Sequence, residues 1–309
     1  MTAVTSSAGT FRQRLHSAWI AWDTFWCREC PPHLLATFRI VFGAFLLFYW
    51  ALKMPHVAMF FSDQGIHQPA IWPLAPLGFL FAPPPLWAAW ILYGSLLFSL
   101  FLFTLGAWTR GSAIIAFVLY VYYWILTLHQ FGTSFDRLFL FTMLVLCLSG
   151  CGETFSLDVR LKRGSWTAWR PISILPQRLL AVQIAVTYLG VGWQKLGLPD
   201  WQSGEVLAVG FVGRWATPPA WWVARLNLSM WVYDRMVDVV KYFEFLLPFG
   251  LWIPRWQWWF FAGGAIFHTS VTIFLGIWWF QALIPAYVLF LRPEDVHAFL
   301  RRVSRGRIA

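Results

Sequence analysis

The chain has 309 residues, of which 59% are hydrophobic and only 12% charged. Soluble globular domains carry about 25% charged residues. A soluble enzyme with a large core is therefore excluded, and a mean hydropathy of +0.61 points to a polytopic membrane protein. The net charge of +10 would suggest nucleic acid in a soluble protein. Here the basic residues sit in short loops and tails, where topology and anionic lipid account for them, and no nucleic-acid partner is expected.

In chain order, residues 11–29 set aromatics at helical spacing among arginines, the pattern of a helix lying in the membrane interface. Pro31-Pro32 ends it. An all-α bundle is expected next, with about eight spans near 34–53, 85–106, 112–131, 136–152, 178–196, 237–253, 256–275 and 277–292. Each approaches the ~20 apolar residues a bilayer requires, although the fourth, sixth and eighth are short. The expected organisation is an N-terminal interfacial segment (1–32), a transmembrane domain (33–292) and a basic tail (293–309). No cleavable signal peptide and no internal repeat is seen.

Loop charge tests the span count. With the N-terminus inside, fifteen Lys and Arg fall on the inner face and seven on the outer, with Arg39 inside the first span. That asymmetry predicts an even count with both termini cytoplasmic, in a cell membrane of the bacterial inner-membrane type. Two long outer loops, 54–84 and 197–236, are rich in Pro and aromatics. Interfacial helices and turns over the outer surface are expected there.

Ionisable residues inside a bilayer are costly, so each needs a reason. Lys195 ends the fifth span, Glu244 lies in the sixth, His268 in the seventh, and Asp136-Arg137 open the fourth. All converge on the outer half. Lys195 has two readings: it snorkels to the headgroups, or it is desolvated and acts as a base. Glu244 either joins the site or pairs with Arg137 or Lys241. His268 is either a site residue or an interhelical hydrogen bonder. Asp136-Arg137 reads as a helix cap and ion pair. Tyr188 shares a helix face with Lys195, and Gly192 between them leaves room for a ligand or for close helix packing. Cys27-Arg-Glu-Cys30 has CxxC spacing, which alone is weak, and all four cysteines are expected as free thiols. No P-loop, GxSxG or HExxH is present and no metal is expected.

Several segments resemble a known family in the right order. Leu34-Leu-Ala-Thr-Phe-Arg39-Ile-Val-Phe-Gly43 with Met59-Phe-Phe-Ser-Asp63-Gln-Gly65 resembles the opening of the HTTM (horizontally transferred transmembrane) domain. Phe135-Asp136-Arg137 and Phe155-Ser-Leu-Asp158 resemble its middle. Tyr188 to Gly204 resembles its fifth-helix signature, and Glu244, Arg255, Phe267-His268 and Leu289-Phe-Leu291 its end. The family includes the vitamin K-dependent gamma-glutamyl carboxylases, whose catalytic lysine falls on Lys195 and whose seventh-helix histidine falls on His268.

The resemblance implies oxidation of reduced vitamin K or menaquinol. Lys195 would be the base, and Glu244, Asp136, Arg137 and Tyr188 would be supporting polar groups or a proton relay. It also implies an isoprenoid quinone between helices and a glutamyl side chain as a carboxylation substrate. The carboxylases have an Asn-His pair where this chain reads Phe135-Asp136, and a lysine where it has Gln194. Their large lumenal region has no counterpart within residues 1–309. A non-enzymatic scaffold, lipid-binding protein or maturation partner for a secreted peptide is the alternative expectation.

Overall fold

The structure, a computed structural model, describes residues 6–66, 82–127 and 133–304. These residues are overwhelmingly helical. In order they form α1 (Ser6–Cys27), α2 (His33–Ala51), α3 (Val57–Phe61), α4 (Leu86–Leu105), α5 (Thr109–Leu126), α6 (Ser134–Cys147) and α7 (Leu157–Arg163). Then come α8 (Leu175–Gly197), α9 (Glu205–Gly210), α10 (Pro218–Arg225), α11 (Met230–Trp252), α12 (Gln257–Leu275), α13 (Leu283–Ala286) and α14 (Pro293–Val303). One antiparallel bridge pairs β1 (Glu29–Cys30) with β2 (Ile172–Ser173), Cys30 opposite Ile172.

Hydrogen bonds fix the alternation of the long helices. At the end where α2 begins, Arg39 donates to the Cys151 carbonyl at 3.0 Å and the Phe155 carbonyl at 2.6 Å. At the same end Asp158 accepts from Trp108 N–H at 2.7 Å and Thr109 N–H at 2.8 Å, capping α5 from another helix. At the opposite end the Tyr93 hydroxyl donates to the Trp50 carbonyl, and Thr217 N–H reaches the Phe274 carbonyl at 3.2 Å. Arg39 therefore packs inside the bundle with no exposed surface and does not snorkel.

Among the described residues, four helical runs are long and apolar enough to cross a membrane: His33–Phe61, which joins α2 to α3, Leu86–Leu105, Thr109–Leu126 and Gln257–Leu275. The chain is a helical membrane protein. The short fourth span corresponds to α6, and the fifth and sixth to the longer α8 and α11, which carry polar residues. The eighth expected span is a short apolar helical run, Trp278–Phe290, of mixed winding. It is a 3-10 turn Trp278–Ala282, then α13, then a 3-10 turn Tyr287–Phe290. A 3-10 helix rises ~2.0 Å per residue against 1.5 Å for an α-helix. This short segment therefore reaches about 24 Å, further than the same residues as pure α-helix.

A tightened helix leaves carbonyls that an apolar slab cannot solvate. Two glutamines supply the missing donors. Gln177 of α8 donates to Leu289 at 2.8 Å and Leu291 at 2.9 Å. Gln257 of α12 donates to Leu251 at 2.7 Å and Phe290 at 3.1 Å.

The core is aromatic. Trp50 is buried against Tyr120 at 5.0 Å, Tyr123 at 5.8 Å, and Phe61 and Tyr93 at 6.0 Å between ring centroids. The two long loops carry short helices as expected, although the Pro-rich apolar stretch 67–81 lies outside the described residues. Of the expected interfacial segment 11–29, residues 11–27 lie in α1, which leaves Phe11, Trp19 and Trp22 exposed, and the helix ends at Cys27, ahead of Pro31-Pro32. All four cysteines are free, and burial pushes the Cys30 thiol up to about 11, so it is not a poised thiolate.

The packing of α8 on α11 depends on Gly192. A Cβ there would stand 2.9 Å from the Phe245 Cα and N. The room beside Lys195 is thus filled by the α11 backbone. We predict that Gly192→Val forces the helices apart and destabilises the purified protein by about 1–3 kcal/mol in denaturation assays. Unchanged stability would refute the close crossing.

Outside the slab, Glu153 takes both Arg170 (3.0 and 2.9 Å) and Arg163 (3.0 Å). The Arg170 hydrogen bond, and then the nearby charges, hold its carboxyl below the ordinary 4.5. Its contribution is therefore present above that ordinary value and is lost as pH falls through the folded one. Melting curves should show a stability loss below about pH 4.5 that is smaller in Glu153→Gln. Parallel curves for both proteins would count against it.

Candidate functional site

The sequence Gly197-Leu-Pro199 stops α8 directly after Lys195. A lysine in the last helical turn is favoured by the helix dipole. The exposed carbonyls of that turn are capped by Gln202, whose amide donates to Lys195 at 3.2 Å, Leu196 at 3.0 Å and Leu198 at 2.9 Å. The following 3-10 turn, Pro199–Trp201, brings the Trp201 ring under the ammonium, with Nζ 4.1 Å from its centroid.

The ammonium's acidic partner is Glu244. Lys195 Nζ and Glu244 Oε2 form a direct ion pair, with 14% and 5% of the side chains exposed. Glu244 lies four residues before Pro248 within α11. Proline has no N–H, so the Glu244 carbonyl lacks its usual intrahelical donor. Polarity is thereby concentrated at one level of an apolar helix. The expected alternatives for Glu244 do not hold. Lys241 pairs with Asp238 at 3.1 Å, and Arg137 is exposed with no ion pair among the described residues.

A second polar chain adjoins this pair. Tyr188, about two turns before Lys195, has its hydroxyl bonded to His268 Nε2 and, at 2.8 Å, to the Tyr287 hydroxyl. Tyr287 fits because Gly264 faces it; a Cβ at 264 would meet its hydroxyl at 2.5 Å.

Hydroxyl accounting exposes a vacancy in the bonding. If Tyr188 donates to Nε2, it accepts from Tyr287 and His268 carries its proton on Nδ1. If Nε2 donates to Tyr188, Tyr188 donates to Tyr287 and Nδ1 is a bare acceptor. In either tautomer Nδ1 is buried without a hydrogen-bond partner among the described residues, on a residue only 1% exposed. Such an atom is costly unless something bonds it.

Asp136 is a separate hub. It caps α6 in a capping box with Thr133, whose N–H donates at 2.8 Å and hydroxyl at 2.9 Å. Its other oxygen accepts from Tyr120 at 2.8 Å and Tyr49 at 3.1 Å. The expected cap is present and the expected ion pair with Arg137 is not. Asp136 makes no direct contact with Lys195 or His268. Phe280 stands between the hubs, 4.2 Å from the Phe135 ring and 5.7 Å from the His268 ring.

Sequence reasoning missed Tyr287. Its signal was a lone phenol in the last apolar run, Leu283-Ile-Pro-Ala-Tyr-Val-Leu-Phe. Trp201 stood in a recognised stretch, but its position over the ammonium required the turn geometry.

The HTTM domain family model matches residues 27–294, which include every residue of both hubs. No curated protein and no solved structure matches the chain. A match over that length leaves one assignment: this chain belongs to the HTTM domain family.

Proposed function

We propose that the protein is a membrane-embedded enzyme acting on an isoprenoid quinol of the vitamin K or menaquinol type, with Lys195 as base. Coupled carboxylation of a glutamyl side chain is the form this chemistry takes in the carboxylases that the sequence resembles. The observation that carries the reading is the Lys195–Glu244 pair beside His268, whose Nδ1 has no partner.

The residues present fit such a ligand. A quinol has hydroxyls that can donate or accept, which is what an orphaned imidazole nitrogen needs in either tautomer. Its ring suits an aromatic-lined site, and its tail suits the bilayer. Lys195, His268 and Trp201 would hold the head. When bound, the quinol supplies an acidic hydroxyl and reducing equivalents.

The chain's own part is proton handling. Lys195 Nζ is a base only after losing a proton, and Glu244 Oε2 is bonded to it and can take that proton. In a low-dielectric setting a neutral amine–acid pair avoids the desolvation that two ions suffer. The freed amine then accepts the ligand hydroxyl's proton. Tyr188 and Tyr287 complete a path that can shift a proton by switching the His268 tautomer. Asp136 supports this site at one remove, through Phe135 and Phe280 packing. Both termini are assigned to the cytoplasmic face of a bacterial inner membrane, on the strength of the loop-charge asymmetry.

One observation favours a second reading, a non-enzymatic scaffold or lipid-binding protein. The α11 backbone occupies the space beside Gly192, so the ion pair also locks two helices.

The two readings separate experimentally. Protein purified from membranes should carry an isoprenoid quinone by mass spectrometry and consume oxygen with menaquinol. Lys195→Ala should lower turnover by at least about 100-fold while extracted quinone persists. Glu244→Gln, which keeps a hydrogen bond but cannot take a proton, should lose about 10- to 100-fold with a melting temperature near wild type. Retained turnover in Lys195→Ala would sink the assignment of Lys195 as base, and no oxygen consumption with menaquinol in the wild type would sink the enzymatic reading. Loss of stability without any quinone bound would favour the scaffold.

A further inference from the structure

At the opposite end of α8 from Lys195, four parts of the chain meet: the last turn of α1, the first turn of α8, the end of α11 and the segment entering α14. Arg178 lies at the centre. Its guanidinium carbon is 4.5 Å from the Phe25 ring centroid and 5.3 Å from that of Trp252. Held against two rings, the guanidinium is fixed in place and has little freedom to reach bulk water. Its Nε is buried and has no hydrogen-bond partner among the described residues. Trp26, packed edge-on against Phe25 at 4.9 Å, likewise has a buried Nε1 without a partner. Both orphans are donors.

The charges are unbalanced in the same sense. The titratable groups acting on Arg178 are Arg28, Arg292, Glu294 and Cys30. Glu294 is already engaged by Arg28 through both guanidinium nitrogens, the second at 3.3 Å. Arg178 and Arg292 therefore have no carboxylate of their own. Around the Phe25 ring the chain thus sets a cation and two buried donors, and among the described residues neither donor has an acceptor.

An acceptor-rich anion completes this geometry. We propose that the site holds the phosphate of an anionic phospholipid, with Arg178 and Arg292 as its charge partners. A phosphodiester offers several acceptor oxygens to guanidinium groups, and basic pockets between helices are suited to such headgroups. A lipid rather than free phosphate is indicated by the adjoining surface. Leu175 and Leu179 flank Arg178 on α8, and Ile253 follows Trp252; all three are exposed, so acyl chains have an apolar track beside the headgroup. The site is distant from the Lys195 pair and independent of the chemistry proposed there.

The test uses the full chain in dodecyl maltoside. Dioleoylphosphatidylglycerol, dioleoylphosphatidylcholine and inorganic phosphate are each titrated, with thermal shift and native mass spectrometry as readouts. Phosphatidylglycerol should be retained and raise the melting temperature; phosphatidylcholine at the same mole fraction and millimolar phosphate should not. Arg178→Gln should weaken phosphatidylglycerol retention by about fivefold or more. Arg292→Gln changes an exposed side chain, so it tests the same point should Arg178→Gln fail to fold. Equal retention of the two lipids overturns the proposal. So does unchanged retention in the variant that folds. A phosphate shift matching that of phosphatidylglycerol overturns the lipid assignment.

Discussion

An ammonium and a carboxylate inside an apolar bundle are tolerable only together. Either ion alone would face a desolvation cost of several kcal/mol, and the pair offsets it through direct contact. Lys195 and Glu244 reach each other because α8 and α11 cross closely at Gly192, and because α8 stops on the next residues, where Gln202 caps its carbonyls and Trp201 covers the ammonium. Sequence, helix ending and helix packing thus act on one atom pair. The Tyr188–His268–Tyr287 chain adjoins that pair because Tyr188 shares α8 with Lys195, two turns earlier on the same face.

The second hub shows how the same rule is met without a cation in contact. Asp136 receives two phenol hydroxyls, a threonine hydroxyl and a backbone N–H. Those donors come from α2, α5 and the start of α6, so one carboxylate ties three helices. This differs from the Asn-His pair of the carboxylases that the chain resembles. At that position an acid fully engaged by neutral donors performs an organising task.

Much of this was legible beforehand. Apolar run length located the long helices, since a bilayer imposes that length directly. Lys195, Glu244 and His268 stood out because ionisable groups are rare in such runs. What could not be read was pairing. Glu244 had three cations within plausible reach, and only the crossing at Gly192 selects Lys195 over Lys241 and Arg137. Asp136 was expected at the depth of Lys195 yet belongs to another hub, because depth fixes one coordinate and leaves azimuth free. Tyr287 was hidden in a segment read as a plain apolar span. The mixed winding there has no strong sequence marker beyond Pro285 and its short length.

That mixed winding bears on how the last segment is held. Like any helix end it leaves its final carbonyls without intrahelical donors, and those of Leu289, Phe290 and Leu291 accept from Gln177 and Gln257 instead. The seating of the segment is therefore written into α8 and α12 as much as into its own residues.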